Sequence, residues 1–410
     1  MNFRSRLKEF VRRPAVLLAS LFILAVLGFW FVNRLVNRFG EQKKALARHL
    51  FQQSQTEIRN GEYDSAIDDL RAALDYNPNN FDYELSLARV LRDTGKNDPS
   101  KRGEAESYLV SLWEHDPQNS LVNLAIARLY AGENLIEKTL QYYHNAIYGV
   151  WPADAQTQRS DTQLELIRFL LRMNADPQAQ AELISWSSSL PPDTSLRLTI
   201  ADLFAQAKDY EHALTEYQQV LRSGQNDAMP MAGAGNSAFQ LERYRTAQHY
   251  LNDLASKTEL TAEARLELET ANAILEINPY AQHISNREMI HRSVRAFNQA
   301  GTRLADCIQQ KNNLPEAEQK KTGSAQTPNA ATSDPPPAPS SASADPLKDL
   351  NQKWSALKPR MIATTTSDVR DSAMDITFEI EQQTASECGA PTGLDEALYL
   401  LSQNPTGAER

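Results

Sequence analysis

Residues 14–32, PAVLLASLFILAVLGFWFV, form an unbroken run of nineteen uncharged positions. At about 1.5 Å per residue a helix of that length reaches roughly 28 Å, one hydrocarbon core. The run exceeds the ~7–15 apolar residues usual in a cleaved leader, and no small-x-small site precedes Asn33. Phe29, Trp30 and Phe31 cluster at one end, as interfacial anchors do. A transmembrane helix over 14–32, behind a basic tail at 1–13, is therefore expected. Beyond it the apolar pattern is helical and periodic. Ala179, Ala213 and Ala247 are 34 residues apart, as are Leu183, Tyr217 and Leu251. Asp176, Tyr210 and Tyr244 keep the same step, with Asp176 breaking an otherwise aromatic position. Small residues recur at Ala88, Ala127, Ala201 and Gly235, from which Ile167 departs. A proline closes successive units at Pro78, Pro117, Pro152 and Pro191, then gives way to Gln225 and Glu259. Allowing insertions at KNDPS (96–100) and at 154–159, the pattern predicts six helical hairpins: 47–80, 81–119, 120–153, 160–193, 194–227 and 228–261.

The segment NGEYDSAIDDLRAALDYNPNN, residues 60–80, resembles the second half of a tetratricopeptide repeat. Gly61 stands at the turn, Tyr63 at the wedge position, Ala66 at the close approach of two helices, Leu70 and Ala73 on the buried face and Pro78 at the stop. The resemblance covers over half the chain. It implies an all-α fold, a right-handed α-solenoid of tetratricopeptide type, in which no hairpin buries its apolar stripe alone. It also implies a concave face that binds a protein or peptide partner.

After the sixth hairpin, residues 262–310 suggest a degenerate seventh unit followed by a capping helix. That helix starts at the capping box Ser285-Asn286-Arg287-Glu288, with Ile290, Val294, Phe297, Leu304 and Ile308 on one stripe. Residues 314–346, rich in Pro, Ser and Ala, predict a disordered linker. Within 347–403 a C-terminal helical tail is expected, with helices over 347–357, 368–386 and 392–402. Some 60 residues make a marginal domain, so docking of the tail back onto the array, against the 285–310 helix, is anticipated.

Charge alters the picture at both ends. Residues 1–48 hold ten Lys/Arg against Glu9 and Glu41, a charge of +8; the total is −10, so the remainder carries −18. A basic root under an acidic body suits an anionic lipid surface and excludes nucleic acid as a partner. Five basic residues precede the apolar run and five follow it closely, so the positive-inside count is a tie. A single span with the N-terminus inside and a periplasmic or other extracytoplasmic body is the favoured arrangement, because large domains translocate largely regardless of flanking charge.

Candidate chemistry is sparse. The seven histidines are scattered and show no metal-ligand spacing. Met231-Ala-Gly-Ala-Gly-Asn236 lacks the Lys-Ser/Thr of a phosphate loop, and its glycines fall where helices must pack closely. No nucleophile stands beside a base. An enzyme is not expected, and neither is a metal, a cofactor or a small-molecule substrate. Cys307 and Cys388, the two cysteines, flank the linker and could form a disulfide or remain buried thiols. The most informative set is basic. Arg89, Arg128 and Arg168 occupy equivalent places in successive hairpins; Arg92 and Arg172 lie one turn further on, and Arg59 is related in the first hairpin. The row continues as Asp202 and Asn236. Because Leu87, Ala88 and Leu91 take the buried side, these residues should face the concave groove and bind an acidic or extended peptide segment. Local pairing with acids such as Glu84, Asp93 or Glu165 is the competing reading. The functional expectation is a membrane-anchored scaffold; the alternative is a structural subunit of an envelope or secretion assembly.

Overall fold

The computed structural model describes residues 3–152, 155–188, 194–224, 227–313, 345–363 and 366–404. Among them stand seventeen α-helices and one 3-10 turn; the only strand-like pairing is an isolated bridge between Asn119 and Val150. The expected linker over 314–346 lies almost wholly outside the described residues.

Two compact units divide the chain, Met1–Ala175 and Asp176–Arg410. In the first, α1 (Phe3–Asn60) is one helix of 58 residues that contains the apolar run. Leu21, Phe22, Leu24, Phe29, Trp30 and Phe31 are each more than half exposed. Among its described side chains the first to be fully buried is Ala47, which packs with Ala73 and Tyr83. One continuous rod is thus both the candidate span and the first helix of the first hairpin.

The other helices of this unit are α2 (Tyr63–Tyr76), α3 (Phe81–Thr94), α4 (Pro99–His115), α5 (Ser120–Gly132), α6 (Ile136–Tyr148) and α7 (Ala155–Arg172). α1 pairs with α2, α3 with α4 and α5 with α6. Their seams hold the small residues of the repeat: Ala66, Ala73, Ala88, Ala105, Ala127 and Ala146 are completely buried.

The hairpin turns share one chemistry. At Gly61, Asn134 and Asn174 here, and at Lys208 and Glu242 in the second unit, φ is positive, between 53° and 83°. In each case the next amide donates to a carbonyl five residues back: Glu62 to Glu57, Leu135 to Tyr130, Ala175 to Leu170, Asp209 to Phe204 and Arg243 to Ala238. This is the left-handed helix stop that satisfies otherwise orphaned carbonyls. The insertion in the second hairpin replaces it. Gly95–Asn97 form the 3-10 turn, and Asp98 caps α4 by accepting from the Ser100 and Lys101 amides, with Pro99 in the first turn.

Tyr63 corrects one expectation. It is 43 % exposed and does not wedge between helices, whereas Tyr244 is 3 % exposed and sits edge-on to Phe239 at 5.5 Å. Five residues before Tyr63 stands Ile58, which offers no ring for it to pack against.

In the second unit, α8 (Asp176–Ser187), α9 (Thr194–Gln206), α10 (Tyr210–Arg222), α11 (Ala228–Gln240), α12 (Tyr244–Ala255), α13 (Ala262–Ile277) and α14 (Asn286–Asn312) continue the hairpin pattern. Gly233 lies under the Tyr217 ring, where a Cβ would fall 2.2 Å from ring carbon, so the glycines of α11 serve packing. Three C-terminal helices follow: α15 (Pro346–Ala363), α16 (Ser367–Cys388) and α17 (Leu394–Gln403). α15 runs past the expected stop at 357 and through Pro359, because Leu357 and Met361 are buried one turn apart and hold its register.

The C-terminal helices share a core with α13 and α14. Ile274, Ile277 and Ala296 pack with Met374, Phe378, Leu398 and Leu401. Cys307 of α14 and Cys388 of α16 form a disulfide with a Cα separation of 5.6 Å. Trp354 stacks on Phe297 at 5.4 Å and donates its Nε1 proton to the Phe297 carbonyl at 2.9 Å. Gly301 makes this fit possible, since a Cβ there would lie 2.2 Å from the indole. Gly301→Ala should cost roughly 1–3 kcal/mol through overpacking. The check is faster hydrogen exchange in α15 than in the wild-type chain.

Candidate peptide-binding groove

Three of the predicted arginines converge in the first unit. Arg89 and Arg92 on α3 and Arg128 on α5 line one cavity of about 510 Å³. The helix period explains it: residues 89 and 92 lie one turn apart and share a face of α3, flanking the stripe of Leu87, Ala88 and Leu91, which are buried. Ile58, Val90, Leu121 and Leu124 supply apolar wall.

The three guanidinium groups differ in their partners. Arg128 makes a two-pronged pair with Glu165 on α7, at 2.8 and 2.7 Å, and Tyr143 donates to the same carboxylate at 2.8 Å. The bond from Glu165 holds the Arg128 pKa above its ordinary value, against burial. On Glu165 burial pushes upward, but the Arg128 and Tyr143 hydrogen bonds prevail and hold the carboxyl below the usual range. Arg92 binds its neighbour Asp93 through Nε at 2.9 Å and Nη2 at 2.7 Å, which leaves Nη1 buried and unpartnered. Arg89 makes no hydrogen bond or ion pair among the described residues, and its Nε is buried. Burial, then the nearby Arg92 and Arg128 charges, lower the Arg89 pKa. Burying an unpaired guanidinium costs free energy unless an anion arrives.

The remaining predicted residues stand elsewhere. Arg59 is exposed and bonds within its own helix, to the Gln55 carbonyl at 3.2 Å and the Thr56 hydroxyl at 3.1 Å. Arg168 and Arg172 are exposed on α7 and do not line the cavity. Asn236 belongs to the second unit, where it donates to Glu267 at 2.5 Å. The competing local-pairing reading therefore describes Arg92 and Arg128, and of the three arginines at the cavity Arg89 alone escapes it.

Trp151 is the cavity residue that sequence reasoning missed. It is 9 % exposed, lines the same space, and its indole N–H has no acceptor. Backbone bonds hold it there: Val150 donates to Gln118 at 2.8 Å and accepts from Ser120 at 3.1 Å. Gly149 permits that approach, since a Cβ would come within 2.6 Å of the Gln118 carbonyl. A large aromatic directly before a helix-ending proline was the available signal.

A tetratricopeptide repeat family model matches residues 51–98. No curated protein matches the chain in sequence. Among solved structures, PilF of Pseudomonas aeruginosa is 19 % identical, with 55 % of this chain and 97 % of that one covered and a TM-score of 0.36. A tetratricopeptide repeat protein of Parabacteroides merdae is 16 % identical, covering 62 % and 92 %, TM-score 0.36. PilW, described as a type IV pilus biogenesis factor, is 17 % identical, covering 55 % and 98 %, TM-score 0.34. Residues 51–98 thus carry a tetratricopeptide repeat, and the small-residue seams and left-handed turns of that hairpin recur in the hairpins that follow.

Proposed function

We propose that this chain is a membrane-anchored scaffold whose arginine-lined groove holds an acidic or extended segment of a protein partner. The observation that carries the reading is Arg89: a half-buried side chain whose enclosed Nε has no partner and whose guanidinium has no paired carboxylate, in an open cavity. The exposed apolar stretch of α1 runs without a break into the first hairpin, so insertion in a bilayer would fix the groove close to the membrane. Confinement there raises the effective concentration of membrane-bound partners. The Cys307–Cys388 disulfide supports a body in an oxidising, extracytoplasmic compartment.

The test is co-purification of partners with a variant carrying Arg89→Glu, Arg92→Glu and Arg128→Glu, with Arg222→Glu, at an exposed position of the second unit, as a control. Partner recovery should fall at least tenfold in the triple variant and stay unchanged in the control, with equal helicity by circular dichroism. Binding held by guanidinium pairs should also weaken as salt rises from 0.1 to 0.5 M, because screening shortens the reach of charges to a few ångströms. Undiminished binding by a folded triple variant removes the groove from the account.

A further inference from the structure

Between the apolar run and Ala47, α1 continues unbroken through residues 33–46. Val36, Phe39 and Leu46 are 60, 61 and 43 % exposed on that stretch. At about 1.5 Å per residue, Phe39 stands roughly 10 Å and Leu46 roughly 21 Å beyond Val32. The polar layer of a bilayer is only about 5–8 Å deep on each side. With the span ending at Val32, lipid covers neither side chain, and water meets both.

Their spacing is that of a coiled coil. Phe22, Ala25, Phe29, Val32, Val36, Phe39, Lys43 and Leu46 follow one another by alternating steps of three and four, the a and d positions of a heptad. Inside the span every residue is uncharged, so the informative part is 33–46. Of its five charged residues, Arg34, Arg38, Glu41 and Lys44 fall at the outer positions b, c and f, and only Lys43 enters the seam. The seam also runs into a packed one. Positions 36, 39, 43, 47, 50 and 54 step by three or four residues. Ala47 and Ser54 are completely buried, and Leu50 packs on the cluster of Ala47, Ala73 and Tyr83. One face of α1 is thus covered by the first hairpin from Ala47 onward and is open before it.

We infer that this chain is a parallel homodimer joined through residues 33–46 of α1, with Val36, Phe39, Lys43 and Leu46 in the seam. A second copy fits this face because a shared membrane holds both chains in one orientation, so each stripe meets its own equivalent across a two-fold axis. A polar residue at a single a position fixes register and strand number at a cost in stability, and Lys43 is placed to do so. Its Nζ lies over the Phe39 ring, 5.1 Å from the centroid. Such a dimer goes beyond the scaffold reading: it shares the anchored α1 and owes nothing to the groove.

The experiment reconstitutes the full chain in vesicles of phosphatidylcholine and phosphatidylglycerol. Cys307 and Cys388 are joined to each other, so an added cysteine is the free thiol. Oxidation with copper phenanthroline should link Val36→Cys and Leu46→Cys into dimers on a non-reducing gel and leave Arg38→Cys and Glu41→Cys monomeric. Equal linking at all four positions, or none at 36 and 46, overturns the seam. In detergent micelles the wild-type chain should sediment as a dimer and Phe39→Glu as a monomer with unchanged circular dichroism. A monomeric wild type, or a variant that stays dimeric, overturns the proposal as well. Lys43→Leu should tighten the dimer about tenfold or more; an unchanged Kd takes Lys43 out of the seam. Cross-linking reports on α1 and partner recovery on the groove, so the two readings fail separately. Loss of the 36–36 link with partners still recovered discards the dimer alone, and full partner recovery by the triple arginine variant discards the groove alone.

Discussion

Raising the pH from about 5 to about 8 should destabilise the docked C-terminal helices by several kcal/mol, and Glu381→Gln should abolish most of that loss. Glu381 sits on α16 with 0 % exposure, and neither carboxyl oxygen has a hydrogen-bond partner. Burial pushes its pKa up to about 8; Asp395 on α17 adds to the rise and Arg303 on α14 opposes it. In the unfolded chain the group titrates near 4.5. Between these values the folded state binds the extra proton, so unfolding becomes easier as pH rises. Below about 4.5 both states are protonated and the contribution is constant; above about 8 both are ionised and it levels off. The gap corresponds to roughly 5 kcal/mol at about 1.4 kcal/mol per unit. Glutamine keeps the neutral shape without the titration. The measurement is hydrogen exchange of α16 and α17 across this range, comparing the full wild-type chain with Glu381→Gln. Parallel pH profiles for the two proteins would show that Glu381 ionises without cost where it lies.

Breaking the Cys307–Cys388 bond should have an effect of similar size. The bond ties α14 to α16 across a sequence separation of 81 residues. Closing a loop of that length in the unfolded chain is worth about 4 kcal/mol by chain entropy. Native packing of the same seam, with Ala300, Leu304, Leu350 and Ile380 buried together, remains after reduction. The helices should therefore stay docked but undock more readily. A Cys307→Ser, Cys388→Ser variant should unfold this region at clearly lower urea than the oxidised protein, and match the reduced wild type. Identical midpoints with and without reductant would mean that packing alone holds the tail.

The two effects meet at one place in the fold, since Glu381 and Cys388 lie two turns apart on α16. The tail's attachment is thus where small chemical changes have most leverage. Salt bridges such as Lys208 with Asp176, at 2.7 Å on the surface, offer much less.

Much of the hairpin architecture was legible along the chain. The 34-residue step of Ala179, Ala213 and Ala247 is borne by residues that are all completely buried. Such spacing records which side of each helix must leave water, a local property that side-chain periodicity carries. Arg89 and Arg92 were legible for the same reason, as polar positions one turn apart that flank a buried stripe. Trp151 was not, because it follows α6 and belongs to no periodic pattern. Glu165 was among the acids named as competing partners, but spacing did not decide that it would pair with Arg128, a contact across 37 residues that depends on how α7 lies against α6.

By itself, then, the order of residues determined the helices, their seams, the apolar stretch of α1 and the recurrence of arginine at related helix positions. Each of these follows from neighbours within one or two helical turns. Only the tertiary structure decided which charges meet. It neutralised Arg128 and Arg92, left Arg89 without an anion beside an unsatisfied indole, and enclosed Glu381 without a partner. Ion pairing and burial of a polar group depend on distances of a few ångströms between helices far apart in sequence, and periodicity along one helix holds no record of them.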